Sequence, residues 1–208
     1  MKLPIGLLAL SALLSGCIIF DKKSEAVTFY QFSAPVSTAT RATPSIFIPR
    51  AIIPAALRRP NIVLLDDNGW VRIEDAHRWL SPLDRAIPEA VGRHLTSLTG
   101  LATTNQSTAD DHLVLLLTVD KMEVFAPAAP ERSIFSLPGT SPNNDTAILQ
   151  VTCRLEKSDG TLLTTKTLTR SRQLKERSAT EFTQAQSANL ASVAADIAQL
   201  LPNPSPSK

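Results

Sequence analysis

Alternating apolar and polar positions dominate the second half of the chain and predict β-strands. Residues 113–125 carry leucine and valine on both faces, which is typical of a central strand covered on two sides. Residues 146–157 and 161–174 alternate around Ser158-Asp159-Gly160 and predict a β-hairpin. Shorter strands are predicted at 27–33, 45–49, 61–65 and 70–73. The last two flank Asn68-Gly69, a pair that favours a hairpin turn.

Two stretches follow helical spacing instead. In the first, Ser81 is the predicted cap, Pro82 opens the helix and Gly100 lies just past its end. Pro88 falls inside this helix, removes one backbone hydrogen bond and predicts a bend. The second helix begins with a capping box from Ser178 to Glu181. Its apolar face contains Leu190, Val193, Ala194, Ile197, Leu200 and Leu201.

Taken together, these elements predict a single α+β domain. We expect a mixed, mostly antiparallel sheet with about two helices packed on it, spanning residues 27–201. A proline-rich tail, residues 202–208, is expected to be disordered. Residues 34–44 and 126–144, rich in polar residues and proline, are predicted loops.

The N-terminus has a different pattern, an apolar run after Lys2 that is too short to span a bilayer. It ends in Leu14-Ser15-Gly16-Cys17, so residues 1–16 are predicted to be a lipoprotein signal peptide. In this interpretation Cys17 takes a diacylglycerol and an N-acyl chain, which anchor the protein, and residues 17–26 form a lipidated tether. The alternative is a buried apolar helix with an incidental cysteine. The residue directly after Cys17 is not aspartate. By similarity to enterobacterial sorting rules, this favours the outer membrane.

Composition narrows the function only slightly. The 208 residues include 21 Lys and Arg and 19 Asp and Glu. Lys2 is the only charged residue in residues 1–16. Without that segment the chain has 20 basic and 19 acidic residues, a net charge of +1. The sequence contains no basic run, which argues against nucleic acid as the partner. If Cys17 is lipidated, Cys153 has no disulfide partner and is predicted to be a small buried side chain.

Motifs for catalysis are missing from the sequence. It contains no phosphate-binding loop and no nucleophile elbow. His77, His94 and His112 lack the spacing of metal ligands. The acidic pairs at 66–67 and 110–111 are interpreted as solvated turns, with paired-carboxylate catalysis as a remote alternative. The chain is therefore predicted not to be an enzyme, with no metal and no cofactor other than the covalent lipid.

One block of residues carries a family resemblance. Arg59-Pro60-Asn61-Ile62-Val63, the hairpin after it, and the segment from His77-Arg78-Trp79 to Leu83 resemble the ABC-type transport auxiliary lipoprotein family. The resemblance implies a non-enzymatic lipoprotein, anchored at the outer membrane and facing the periplasm. It would dock an MCE-domain protein of an intermembrane phospholipid transporter. A directly bound phospholipid and a homo-oligomer remain open as further partners.

The same block supplies the candidate binding residues, which are Arg58, Arg59, Trp70, Arg78 and Trp79. Arginine meets phosphates or carboxylates bidentately, and tryptophan is favoured at interfaces. The alternatives are intramolecular salt-bridge or capping roles for Arg59 and Arg78 and core packing for the two tryptophans. Two other functions remain open, an envelope hydrolase acting on lipid or peptidoglycan and a purely structural scaffold lipoprotein.

Overall fold

The computed structural model describes residues 25–65, 71–106, 112–125 and 145–202. The strands are β1 (Thr28–Tyr30), β2 (Arg41–Phe47), β3 (Asn61–Leu65), β4 (Val71–Trp79), β5 (Leu101–Thr104), β6 (His112–Phe125), β7 (Thr146–Lys157) and β8 (Leu162–Gln173). The helices are α1 (Leu83–Thr99) and α2 (Ala179–Leu200), with one 3-10 turn at Ala55–Leu57. The predicted signal peptide, Cys17, the Asn68-Gly69 turn and the acidic pairs lie outside the described residues. So do the loop 126–144 and most of the C-terminal tail.

The larger sheet has five strands in the order β5-β2-β6-β7-β8. Its long strands β6, β7 and β8 are antiparallel neighbours, as the alternating pattern predicts. The turn between β7 and β8 is the predicted one, with Gly160 at φ 85°, a value that disfavours any residue with a Cβ. β2 lies parallel to both β5 and β6, although it comes far earlier in the chain.

The smaller sheet has three strands in the order β1-β4-β3. β3 and β4 pair antiparallel, which confirms the predicted hairpin, and β1 lies parallel to β4. The fold is thus the predicted α+β class with two helices. Its strands are divided between two mixed sheets, whereas the alternation along single strands indicated only one.

Several strand limits differ from the predictions. β2 begins at Arg41, inside a predicted loop, and its register against β5 shifts between Arg41 and Ile46, around Pro44, which has no N–H to donate. β4 continues to Trp79, well past the predicted limit, and β1 is reduced to three residues. β5 was not predicted, because its four residues are too short to show a period.

Helix α1 begins one residue later than predicted. Pro82 is its N-cap and no side chain caps the helix, so the predicted cap at Ser81 is wrong. Ser81 lies one position too far from the first free N–H groups to bond them. The end is as predicted, with Gly100 in the left-handed conformation at φ 73°.

Pro88 leaves a carbonyl free within α1, and another segment uses it. Because proline has no N–H, the carbonyl of Asp84 loses its partner in the helix. The backbone N–H of Ala51 donates to this oxygen at 2.8 Å. The neighbouring Ile52 bridges to β6, donating to the Leu117 carbonyl at 2.9 Å. The proline therefore ties the segment after β2 to both the helix and the central strand.

Helix α2 is capped as predicted by Ser178, whose hydroxyl accepts from the N–H of Glu181 at 3.2 Å. The Glu181 carboxylate bonds the N–H of Lys175 rather than that of Ser178, so only half of the capping box forms. The buried face of α2 includes Phe182, Leu190, Val193, Ala194 and Ile197.

The core joins one face of the five-stranded sheet to both helices and to buried residues of the three-stranded sheet. Alternate residues of β6 and β7 point into it, among them Leu115, Leu117, Leu149, Val151 and Leu155. Cys153 belongs to this row and is 2% exposed, which confirms the predicted buried side chain. Burial, reinforced by the negative charges of Asp120 and Asp196, raises the pKa of its thiol to about 12. At neutral pH it is a protonated, inert thiol.

Candidate functional site

The three-stranded sheet brings most of the candidate block together. In the parallel pair of β1 and β4, Phe29 is registered against Arg78, and on the other side of β4 Arg78 is registered against Asn61. The N–H of Trp79 donates to the carbonyl of Pro60 at 2.7 Å. Because Arg58 and Arg59 directly precede Pro60, they border the same end of β4.

Arg78 is half-buried on the central strand of this sheet. Its Nε is fully buried and has no hydrogen-bond partner among the described residues. A buried donor without a partner costs about 1–3 kcal/mol. No salt bridge to Arg78 occurs among the described residues.

Arg58 and Arg59 follow the 3-10 turn and are exposed. In the described ranges neither of them takes part in an ion pair. The intramolecular salt bridge considered for Arg59 and Arg78 is therefore not found in this part of the chain. Together with exposed Phe29 and Leu80, the three arginines form what we call the β4-end surface: Phe29, Arg58, Arg59, Arg78 and Leu80.

Trp79 is not a surface residue. Its side chain is 5% exposed, and its ring centroid lies 4.9 Å from that of Phe32. Such a contact stabilises the core beneath the β4-end surface and offers no face to a partner. Trp79 therefore packs in the core, as the alternative interpretation had it, and does not form part of an interface. Side chains alternate along a strand, so Trp79 and its neighbour Arg78 lie on opposite faces of the sheet. Trp70 lies outside the described residues.

A polar cluster that sequence reasoning missed connects this sheet to α2. The hydroxyl of Tyr30 lies 2.9 Å from Nδ1 of His77 and 3.1 Å from the Thr180 hydroxyl. These residues come from β1, β4 and the first turn of α2, and no sequence spacing relates them. The Tyr30 side chain also lines an open groove of about 480 Å³ between residues 30–33 and the helices.

Hydroxyls and histidines in that groove are engaged in structural bonds. Ser187 accepts from the N–H of Ser33 at 3.1 Å and donates to the carbonyl of Thr183 at 2.8 Å. Nε2 of His94 lies 3.3 Å from the carbonyl of Ser33. Within the described residues no cluster of His, Cys, Asp or Glu could hold a metal ion.

A larger open cleft of about 880 Å³ lies between α1 and residues 48–50. Arg50 and Arg93 line it, but each faces a carboxylate: Arg50 lies 3.4 Å from Asp84, and Arg93 lies 2.9 Å from Glu89. Arg85 also lines the cleft and has no ion pair among the described residues, so the cleft holds one uncompensated positive charge where the β4-end surface holds three.

Comparison with known proteins assigns the family. The family described as ABC-type transport auxiliary lipoprotein component matches residues 30–198, and the chain belongs to this family. It is therefore a lipoprotein-type auxiliary component of an ABC-type transport system. None of the curated proteins is significantly similar to the chain.

Two solved structures share the fold. The crystal structure of an uncharacterized protein is similar with a TM-score of 0.65 and 17% identity, covering 84% of this chain and 98% of that one. Protein XCC0632 from Xanthomonas campestris, of the DUF330 family, is similar with a TM-score of 0.60 and 15% identity, covering 82% and 92%. At these identities the likeness shows the fold alone. Separately, no helix in the described part of the chain is long and apolar enough to span a membrane.

Proposed function

We propose that this protein is anchored in the outer membrane through lipids on Cys17 and faces the periplasm. There it acts as a non-enzymatic docking component of an MCE-type intermembrane phospholipid transporter. Family membership over residues 30–198 is the observation that carries this proposal. The Leu14-Ser15-Gly16-Cys17 sequence supports the anchor.

The arrangement of side chains supports a binding role over catalysis. Three arginines without carboxylate partners in the described residues lie at the end of β4, where they can meet phosphates or carboxylates. The histidines His77 and His94 are bonded to a tyrosine hydroxyl and a backbone carbonyl. The hydrolase alternative therefore gains no support from them.

The anchor is tested first, by mass spectrometry of the protein isolated from membranes. We expect a mature chain that begins at Cys17 and carries a diacylglycerol and an N-acyl chain. A Cys17→Ser variant should be released from membranes into the soluble envelope fraction. An unmodified Cys17 in the membrane-bound wild type would contradict the anchor.

Docking is tested by affinity capture from crosslinked envelopes, followed by mass spectrometry of proteins and lipids. We expect wild type to recover an MCE-domain protein. Arg58→Gln-Arg59→Gln is compared with Lys157→Gln-Lys166→Gln, which makes the same charge change at exposed positions near the β7–β8 turn. Trp79→Ala is unsuitable here, because loss of a core side chain would confound the result. Recovery of no transporter component from wild type would refute the docking role.

A further inference from the structure

The β4-end surface combines the two kinds of side chain that a bilayer surface binds. Phe29 and Leu80 are 58% and 59% exposed. Phe29 is registered against Arg78, and Leu80 follows Trp79 at the end of β4 that Arg58 and Arg59 border. Aromatic and leucine side chains enter the boundary between headgroups and acyl chains, while arginines bind the phosphates. A protein partner rich in carboxylates would satisfy the arginines, but it would gain less from the exposed phenylalanine and leucine.

The chain enters the fold at this surface. β1 begins at Thr28, and its second residue, Phe29, is part of the surface itself. Thr28 lies eleven positions after Cys17, a span of at most about 35–40 Å. A lipid on Cys17 therefore holds the β4-end surface within reach of the membrane.

The opposite end of α1 provides a contrast. Leu98 is exposed to a similar degree, 56%, but lies near the end of the helix, about 22 Å along its axis from Leu83. Leu80 lies just ahead of the start of the same helix, next to the β4-end surface.

We propose that the β4-end surface lies against the bilayer, with Arg58, Arg59 and Arg78 on lipid phosphates and Phe29 and Leu80 in the headgroup boundary. This inference rests on the Cys17 anchor of the proposed function. It assigns the surface to the membrane and leaves the rest of the domain to the transporter.

The test uses full-length lipidated protein with a polarity-sensitive thiol dye at Leu80→Cys or at Leu98→Cys. Each labelled variant is reconstituted in phosphatidylcholine vesicles with or without 30% phosphatidylglycerol. We expect a blue shift for the dye at position 80 that is larger with phosphatidylglycerol, and none at position 98. Wild type should not label, because Cys17 is acylated and Cys153 is buried. Labelling of wild type at Cys17 would refute the anchor and this inference together.

Charge is tested with Arg58→Gln-Arg59→Gln in the Leu80→Cys background. Each arginine near an anionic surface strengthens binding about fivefold, so the equilibrium constant for docking of the domain should fall about 30-fold when both are lost. Lys157→Gln-Lys166→Gln should leave the dye signal unchanged. Phe29→Ser should weaken docking in vesicles of either composition, because its contribution is apolar.

Two outcomes would overturn the inference while leaving the proposed function standing. One is equal dye emission at positions 80 and 98 in both kinds of vesicle. The other is an unchanged dye signal in Arg58→Gln-Arg59→Gln together with lost capture of the MCE-domain protein. In that case the β4-end surface binds the protein partner.

Discussion

Arginines on the two sides of the molecule have opposite surroundings. On the α2 side, Arg177 donates to both oxygens of Asp145 at 2.7 and 2.8 Å, and Arg170 pairs with Asp196 of the helix. On the β4 side, Arg58, Arg59 and Arg78 have no carboxylate partner in the described residues. The same residue type thus fastens the fold on one side and is left available on the other.

This difference separates structural arginines from candidate binding arginines in a way that composition cannot. Arg177 also accepts a bond at its carbonyl from Arg72 of β4, at 3.3 Å, so the paired side extends as far as the three-stranded sheet. The arginines without carboxylate partners in the described residues, Arg58, Arg59 and Arg78, lie at the other end of β4, next to Trp79. The comparison predicts that substitutions on the two sides affect different measurements.

The largest effect is expected from Trp79, which supports the unpaired side from beneath. Trp79→Ala should lower the free energy of unfolding by about 3–5 kcal/mol, because it leaves a cavity against Phe32. Urea unfolding followed by circular dichroism measures this loss. Trp79→Phe should cost less, since it keeps an aromatic contact. A loss below about 1 kcal/mol for alanine would mean that Trp79 is not a core residue.

A smaller effect is expected on the paired side. Arg177→Ala should cost about 1–2 kcal/mol, because it breaks a bidentate pair whose side chains are only partly exposed. A double-mutant cycle with Asp145→Ala separates the pair from other contacts of either residue. If the coupling in that cycle is zero, the pair does not fasten the fold.

The unpaired side should tolerate substitution. Arg58→Gln-Arg59→Gln should change the free energy of unfolding by less than about 0.5 kcal/mol, since both side chains are exposed and without ion pairs among the described residues. The same urea titration detects any change. A loss of unfolding free energy as large as that of Arg177→Ala would contradict the inference that arginines on the two sides differ in their structural role.

The smallest effect concerns Asp159, an exposed carboxylate with only local partners. The hydroxyl and N–H of Thr161 bond to it and lower its pKa below the usual 3.8. Because the folded pKa is lowered, the stabilisation is present above pH 3.8 and is lost as pH falls through the folded value. An NMR titration measures this pKa, and Thr161→Ala should raise it only part of the way, because the backbone bond remains. An unshifted pKa in wild type would contradict the turn geometry.

The fold was largely predictable because its main elements are local. Four features depend only on neighbours within a few residues: the pattern of β7, the limits of the β7–β8 hairpin, the Ser178 cap and Gly100 after α1. The division into two sheets was not predictable, because it depends on which distant strands pair. β5 and the start of β2 are too short or too irregular to show a period.

The candidate site was predictable in position but not in detail. The block containing Arg58, Arg59 and Arg78 does meet at one end of β4. Whether an arginine is paired depends on residues far along the chain, as Arg177 and Asp145 illustrate across 32 positions. Strand alternation could have indicated that Trp79 and Arg78 face opposite sides. The Tyr30, His77 and Thr180 cluster had no signal in the sequence.

The position of β2 has a consequence for the order in which the chain folds. This strand, with its buried Ile46, pairs only with β5 and β6 among the described strands, and these follow more than fifty residues later. Chains are synthesised from the N-terminus, so β2 emerges long before its neighbours exist. The β7–β8 hairpin can close within its own short loop, whereas β2 must wait for a long-range closure. We therefore expect insertion of β2 to be a late, rate-limiting event, and its apolar edge to be the segment that a chaperone would need to shield.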